Sequence, residues 1–256
     1  MTVSTSSNLV KDIYLEAPSG RISGMTCINK FGRNTAVVSG GTEEVWDGSR
    51  AYVFPTSASI THIRSAVDSA ITQNVTLEVQ GLDTNWNLVV QTKATDGADS
   101  TTEVALDTPL IRVFRVKVLD DTAMDQDIWV GPDPATAANS SAIVTAGNNQ
   151  TLMAIYTVPL GKTAYITNYY ATVNPGGGAP TTLNIKLWGT DNANGYARQL
   201  KHTLGLNANS GAYGNFQHEF KPYLKFNAQW DVYIEATTAG AAADVSAGFD
   251  LFLTNN

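Results

Sequence analysis

Tyr52-Val53-Phe54-Pro55, followed by Ser59-Ile60-Thr61, has a second version in Tyr156-Thr157-Val158-Pro159, followed by Tyr165-Ile166-Thr167. The two tyrosines lie 156 − 52 = 104 positions apart, and the two prolines 159 − 55 = 104. Further on, Leu77-Glu78-Val79-Gln80-Gly81-Leu82-Asp83-Thr84-Asn85 answers Ile185-Lys186-Leu187-Trp188-Gly189-Thr190-Asp191-Asn192, with the aspartates 191 − 83 = 108 apart. Loop insertions between strands produce a drift of that size. A repeat near 100 residues implies a duplicated domain, because solenoid repeats run at roughly 20 to 50.

Between these repeats the chain reads as strands. Ala51 to Phe54, Ser59 to Ser65, Val75 to Gly81, Trp86 to Thr92 and Ile111 to Leu119 are short β-rich runs separated by turn residues, and the pattern resumes from Thr151 to Leu253. Almost nothing has helical period; the one expected helical turn lies near Ala135 to Ser140. Pro55 and Pro159 suit strand ends, since a proline cannot donate to a central ladder. Asp83-Thr84-Asn85 and Asp191-Asn192-Ala193-Asn194-Gly195 cap their own turns by side-chain hydrogen bonds and mark hairpin tips. The expected fold is all-β: two tandem antiparallel β-sandwiches of jelly-roll type. Their bounds are an N-terminal arm over 1–33, a first sandwich over 34–131, a Pro-rich linker over 132–146 and a second sandwich over 147–256. Within the arm, Ile13-Tyr14-Leu15 is an amphipathic patch that cannot build a core alone and is expected to lie on a neighbouring domain or subunit. Trp46 is expected as a buried aromatic anchor.

Composition narrows the function. Charged residues make up 15% of the chain against 43% hydrophobic, and the net charge is −7. Phosphate binding needs clustered Lys and Arg, so a nucleic-acid partner is excluded. The tightest basic group, Arg112, Arg115 and Lys117, sits in an alternating strand and reads as a solvated or subunit-facing stripe. The single cysteine, Cys27, admits no intrachain disulfide, which suits synthesis in a reducing cytoplasm. Met1 to Ser7 carries neither a basic nor an apolar region of a signal peptide, and no apolar run has spanning length, so no membrane association is expected.

Catalytic groups are sparse. His62, His202 and His218 are each alone in local sequence, without the His-x-x-x-His or His-x-His spacing of a metal site. Met25-Thr26-Cys27-Ile28-Asn29 does not resemble a reactive-thiol setting, and neither a Gly-x-Ser-x-Gly elbow nor a phosphate-binding Gly-Lys-Ser/Thr loop occurs. Asp83 to Asn87 matches the start of a calcium loop, but Leu88 stands where glycine is required and Ala94 where a bidentate glutamate is required. Asp120, Asp121, Asp125 and Asp127 form the densest acidic group and read as a solvated turn. The reading is of a protein that is no enzyme and needs no metal or cofactor. Trp86 and Trp188, beside the equivalent tips of Asp83 and Asp191, are the candidate contacts for a glycan or a protein partner.

Several strings resemble a family of virion structural proteins of tailed bacteriophages, many of them marine. They are Thr35-Ala36-Val37-Val38-Ser39-Gly40, Glu43-Glu44-Val45-Trp46-Asp47-Gly48, Gly81 to Asn87, Ile111 to Val118, Gln150 to Tyr165 and Val245 to Leu251. The resemblance covers most of the chain from Thr35 onward. It implies a capsid-decorating, neck or tail-associated protein in the virion, made in the host bacterial cytoplasm. The implied partners are copies of itself and other virion proteins, a major capsid or connector protein among them. The rival expectation is a glycan-binding module of a phage tail or adhesin.

Overall fold

The structure is a computed structural model and describes residues 12–66, 74–96, 102–120, 124–132, 136–175, 181–209 and 213–256. One short helix, α1 (Ile13–Glu16), precedes the strands β1 (Met25–Val37), β2 (Thr42–Glu44), β3 (Ile60–Ser65), β4 (Thr76–Leu82), β5 (Leu88–Ala94) and β6 (Val104–Leu110). Then come β7 (Arg112–Val118), β8 (Ile128–Gly131), β9 (Ala142–Val144), β10 (Ile155–Thr157), β11 (Lys162–Pro175) and β12 (Thr181–Asp191). The chain finishes with β13 (Gln199–Ala208), β14 (Gly214–Phe226), β15 (Trp230–Thr238) and β16 (Ala243–Asn255). Every pairing is antiparallel.

The larger sandwich joins a sheet of order β1-β16-β11-β14 to one of order β10-β15-β12-β13, with β2 also paired to β15. The smaller joins β6-β3-β8-β9 to β5-β4-β7. Taken strand by strand, β14-β11-β16-β1 corresponds to β6-β3-β8-β9, and β13-β12-β15 to β5-β4-β7. Even the segment before Thr151 follows the plan: Lys117 bridges to Gln150 after β9, as β15 pairs with β2 after β1. The two sandwiches thus share a strand order in which β4 stands where β12 does, but the other repeated segment is not alike in the two: Ala51 to Phe54, expected as a strand, forms none, whereas Tyr156 lies in β10.

The chain order of the two copies differs, and the cause is visible in the pairing. β2 pairs with Glu235–Thr237 and β10 with Asp231–Tyr233, end to end along one edge of β15. They are two halves of one strand. At Val45 the chain leaves that strand to build the smaller sandwich and returns at Ala154, whose N–H donates to the Val45 carbonyl at 2.9 Å. Trp46 and Met153 form an antiparallel bridge at the neck.

This corrects the expected division of the chain. The arm expected over 1–33 supplies β1, which pairs with β16 from Met25↔Thr254 onward, so the larger sandwich takes strands from both ends of the chain. The strand was concealed because its inward positions include Lys30, Gly32 and Asn34, all buried and none hydrophobic. The linker expected over 132–146 is also no boundary. It joins β8 to β9 within one sheet, and its short 3-10 helix, Ala137–Asn139, falls where a helical turn was expected. Residues 1–11 of the arm, 133–135 of the linker and Gly176 to Gly178 lie outside the described residues.

Two cores interlock. Leu82, Ile111 and Phe114 of the smaller sandwich pack into the core of the larger, while Ile155 and Tyr233 of the larger pack into the core of the smaller. β15 is consequently covered on both faces, with Val232, Ile234 and Ala236 turned to one core and Tyr233 to the other. A strand covered on both faces reads as a near-continuous apolar run instead of an alternating one.

Candidate functional site

The candidate residues meet at the seam between the sandwiches. Asp83 follows β4, and its Oδ1 accepts the N–H groups of Asn85 at 2.8 Å and Asn87 at 2.9 Å. Burial alone would raise its carboxyl, but the amide donors of Asn87 and Asn85 more than offset this and leave it below the ordinary range. Asp191 plays the same part after β12, accepting from the Asn194 N–H at 3.2 Å and the Asn194 side-chain amide at 2.8 Å. Both carboxylates are occupied in shaping their own turns.

The tip beginning at Asp83 forces Trp86 to φ 64°, a left-handed backbone uncommon for a bulky residue. Its carbonyl accepts the Leu160 N–H at 2.8 Å, tying the tip to the larger sandwich, and its ring packs on that core. Trp188 is the reciprocal case: it belongs to β12 of the larger sandwich and packs on the core of the smaller. A guanidinium lies against each ring, Arg112 at 5.1 Å from Trp86 and Arg198 at 4.2 Å from Trp188. Each tryptophan anchors one sandwich in the other, with cation–π contact added.

Arg112 was expected on a solvated or subunit-facing stripe and is instead buried with Asp231 of the other sandwich. Their side chains are 4% and 2% exposed, and two parallel N–H···O bonds of 2.8 Å join them. The remaining acceptor positions of Asp231 take the Thr157 hydroxyl at 2.6 Å and the Asn192 amide at 2.8 Å, while Arg112 also donates to the Pro55 carbonyl at 2.5 Å. A cavity of about 360 Å³ opens over this pair, lined by Phe54, Trp86, Thr190 and Asn192 among others. The polar groups beneath it are already bonded to one another. The rest of the basic stripe stays nearer solvent, with Lys117 paired to Glu78 at 3.0 Å.

Three further buried ionisable groups lie near the seam. Lys30 donates to the Phe114 carbonyl across it, and burial, aided by the Arg115 charge, lowers its ammonium to about 7. Glu235 is held by Arg198 at 2.6 Å and Lys186 at 3.3 Å. Glu44, its cross-strand neighbour, accepts the Tyr52 N–H at 2.6 Å and is raised by burial. No motif in the sequence marks Arg112–Asp231 or Lys30–Phe114, since the partners are far apart in the chain. The one legible signal was charged residues inside otherwise apolar strands.

The other candidates are placed as follows. His62 is half-buried in β3, where its Nδ1 meets the Thr61 hydroxyl at 2.8 Å. His202 and His218, isolated in sequence, stack at 4.1 Å between β13 and β14, with the Tyr169 hydroxyl 2.6 Å from His202 Nδ1. Cys27 is exposed on β1, and burial together with the Asp250 charge raises its thiol, which disfavours the reactive thiolate. Asp120 accepts the Thr76 N–H and Asp127 the Ala146 N–H, the latter at 2.8 Å, while Asp121 lies outside the described residues. Among the described residues no three His, Cys, Asp or Glu side chains are grouped to hold a metal ion. Tyr14 of α1 packs on Phe252, ring to ring at 5.3 Å, with Ile13 and Leu15 beside it.

No family model matches the chain, and no curated protein does. Among solved structures, that of the infectious bursal disease virus Gt strain is 13% identical over 91% of this chain and 73% of that chain, with a TM-score of 0.23. The structure of T=1 particles derived from the same virus is 14% identical over 91% of this chain and 70% of that chain, also with a TM-score of 0.23. Likenesses this distant do not bear on function, and what the chain is rests on its strand order and its packing: an all-β protein of two interlocked antiparallel sandwiches.

Proposed function

We propose that this protein is a structural subunit of a virus particle, in its finer form a capsid-decorating, neck or tail-associated protein of a tailed bacteriophage, acting by contact instead of catalysis. The observation that carries the reading is the fused double sandwich. Antiparallel β-sandwiches include viral capsid and lectin domains among many others, so the fold leaves a particle subunit and a sugar binder both open and the site must choose between them. Here the aromatic and acidic groups that a lectin would present to sugar are engaged within the molecule: Trp86 and Trp188, both half-buried, cross-anchor the sandwiches, and Asp83 and Asp191 cap turns. On its surface the double sandwich leaves apolar side chains such as Val53, Val90 and Tyr213 exposed.

The test is to locate the chain in a cryo-EM map of purified particles and to apply the purified protein to a glycan array. Density for the double sandwich on the particle, with no sugar retained, supports the reading. Its absence from particles, or saturable sugar binding abolished by Trp86→Ala or Trp188→Ala, would overturn it in favour of the adhesin.

A further inference from the structure

The segment from Asp12 to Gly20 holds its own shape. The Asp12 carboxylate caps α1 through the Tyr14 N–H at 2.9 Å, the Ser19 hydroxyl donates to the Leu15 carbonyl at 2.5 Å, and Arg21 pairs with Glu16 at 2.9 Å. Its hold on the rest of the molecule is slight by comparison. Tyr14 stacks obliquely on Phe252 of β16 and shares a hydroxyl contact of 2.9 Å with Tyr223 of β14. No residue of α1 is buried; Tyr14 and Leu15 are 56% and 60% exposed, and Ala17 alone tucks in at 2%. Beneath the strap lies a cavity of about 270 Å³, lined by Pro18, Cys27, Ile28 and Phe252 among others.

Two glycines flank the joint between strap and sheet, Gly20 at φ 70° and Gly24 at φ 74°. A side chain at Gly20 would meet nothing within 4 Å, so backbone freedom and not crowding is what that position supplies. β1 starts immediately afterwards and is the end strand of its sheet, with a long edge that no described strand pairs. Five extended residues reach about 17 Å. Strands are spaced at about 4.8 Å, so where two β1 strands meet antiparallel near their N-terminal ends that reach exceeds the two spacings, about 10 Å, that separate β1 of one copy from β16 and its Phe252 in the next.

We propose that the Asp12–Gly20 strap is exchanged between copies of this chain, Tyr14 of one copy seating on Phe252 and Tyr223 of the next. The occupant is identified by the seat: its shape and its hydroxyl partner already fit this segment, and every copy carries both halves. Contacts made within the chain are reproduced between chains, so the exchange costs little beyond bringing two copies together. Across a two-fold at β1 it closes as a dimer. The proposal deepens the assembly reading and rests on it only in requiring that copies meet. Its test reads the exchange in purified protein, without particles.

In a Cys27→Ser background, the single variants Tyr14→Cys and Phe252→Cys are tagged differently, mixed and oxidised. The expected product on a non-reducing gel is a linked dimer carrying both tags. The Tyr14→Cys/Phe252→Cys double variant, oxidised at high dilution, serves as the check that the two positions meet. Linkage within single chains only, with no doubly tagged dimer from the mixture, would overturn the exchange, and so would a double variant that fails to link at all. Should Phe252→Cys not fold, Tyr223→Cys bridged to Tyr14→Cys by a short bis-maleimide reads the same geometry. Failure to find the chain on particles while the doubly tagged dimer forms would sink the virion reading and leave the exchange standing.

Discussion

Arg112 and Asp231 face each other across the seam as a two-toothed ion pair, 2.8 Å at both contacts, and neither belongs to the sandwich of the other. Removing water from both charges is expensive, and the arrangement persists because Thr157, Asn192 and the Pro55 carbonyl complete the hydrogen bonding. Such a pair is stable only when whole. Arg112→Ala is expected to cost about 3–5 kcal/mol in urea unfolding, since it strands a buried carboxylate, whereas Arg112→Met with Asp231→Leu costs clearly less than the two single changes summed. Additive costs would show that the two side chains are not coupled.

Gly32 lies where β1 crosses the neck of the inserted sandwich. A Cβ there would come within 2.3 Å of the Val45 carbonyl oxygen and 2.4 Å of the Ala154 nitrogen, backbone atoms that cannot step aside. Gly32→Ala should therefore destabilise by about 2 kcal/mol or more, as overpacking does. Gly205→Ala, in a strand with nothing within 4 Å of the new methyl, should be neutral or stabilising by up to about 1 kcal/mol. Thermal melts of the two variants make the comparison; equal effects would refute the crowding at the neck.

Lys30 carries a pH signature. Its ammonium, lowered to about 7 by burial and the Arg115 charge, is more readily deprotonated in the folded chain than in the unfolded one. Between about 7 and the ordinary lysine value near 10.4 the unfolded chain thus binds more protons, so folding stability rises with pH across that window and is flat, for this group, below it. Lys30→Met should remove this rise and gain stability at pH 7. A parallel pH dependence of melting in both proteins would contradict the assignment.

His202, one of the stacked pair, gives a comparable slope at lower pH. Burial, with the neighbouring His218, lowers the His202 imidazole below its ordinary value, so its contribution to stability is present above the unfolded value near 6.5 and is lost as pH falls through it. His202→Phe should lose less stability between pH 7.5 and pH 5 than the parent chain. The measurement is chemical unfolding at both pH values.

Trp86 and Trp188, anchored in opposite directions across one interface, should each cost about 3 kcal/mol or more when cut to alanine, and the double change should depart from additivity. Unfolding of the four proteins in the cycle settles it.

Strand content and the β4–β12 repeat were legible in the sequence because hairpin tips advertise themselves: Asp83 and Asp191, each followed by asparagines, mark equivalent turns. Insertion was not legible. Nothing local distinguishes β2 and β10 from separate strands; only their end-to-end pairing along β15 unites them. β1 escaped notice because Lys30 and Asn34 occupy inward positions, Lys30 bonded to the Phe114 carbonyl and Asn34 to Glu43 at 2.7 Å. The tryptophans drew attention as contacts for a glycan or partner because they stand beside the two tips, but a sequence cannot show that a guanidinium will lie against each ring. Arg112 was assigned to the surface because alternation alone does not reveal that a second sandwich covers the outer side of β7.

The interrupted strand also orders events in time. As the chain leaves the ribosome, Trp46 to Met153 is complete before any of β11 to β16 exists, so the inserted sandwich has its full set of strands first. β1 and β2 emerge earlier still, yet β16 and β15, the strands they pair with, come at the very end. Pairing Met25 with Thr254 closes a separation of 254 − 25 = 229 residues, the slow kind of contact that waits until β16 has been made. Until then β1 is an orphan strand, and a chain stalled short of Ala243 would expose it, with β11, to whatever sticky edge is nearest.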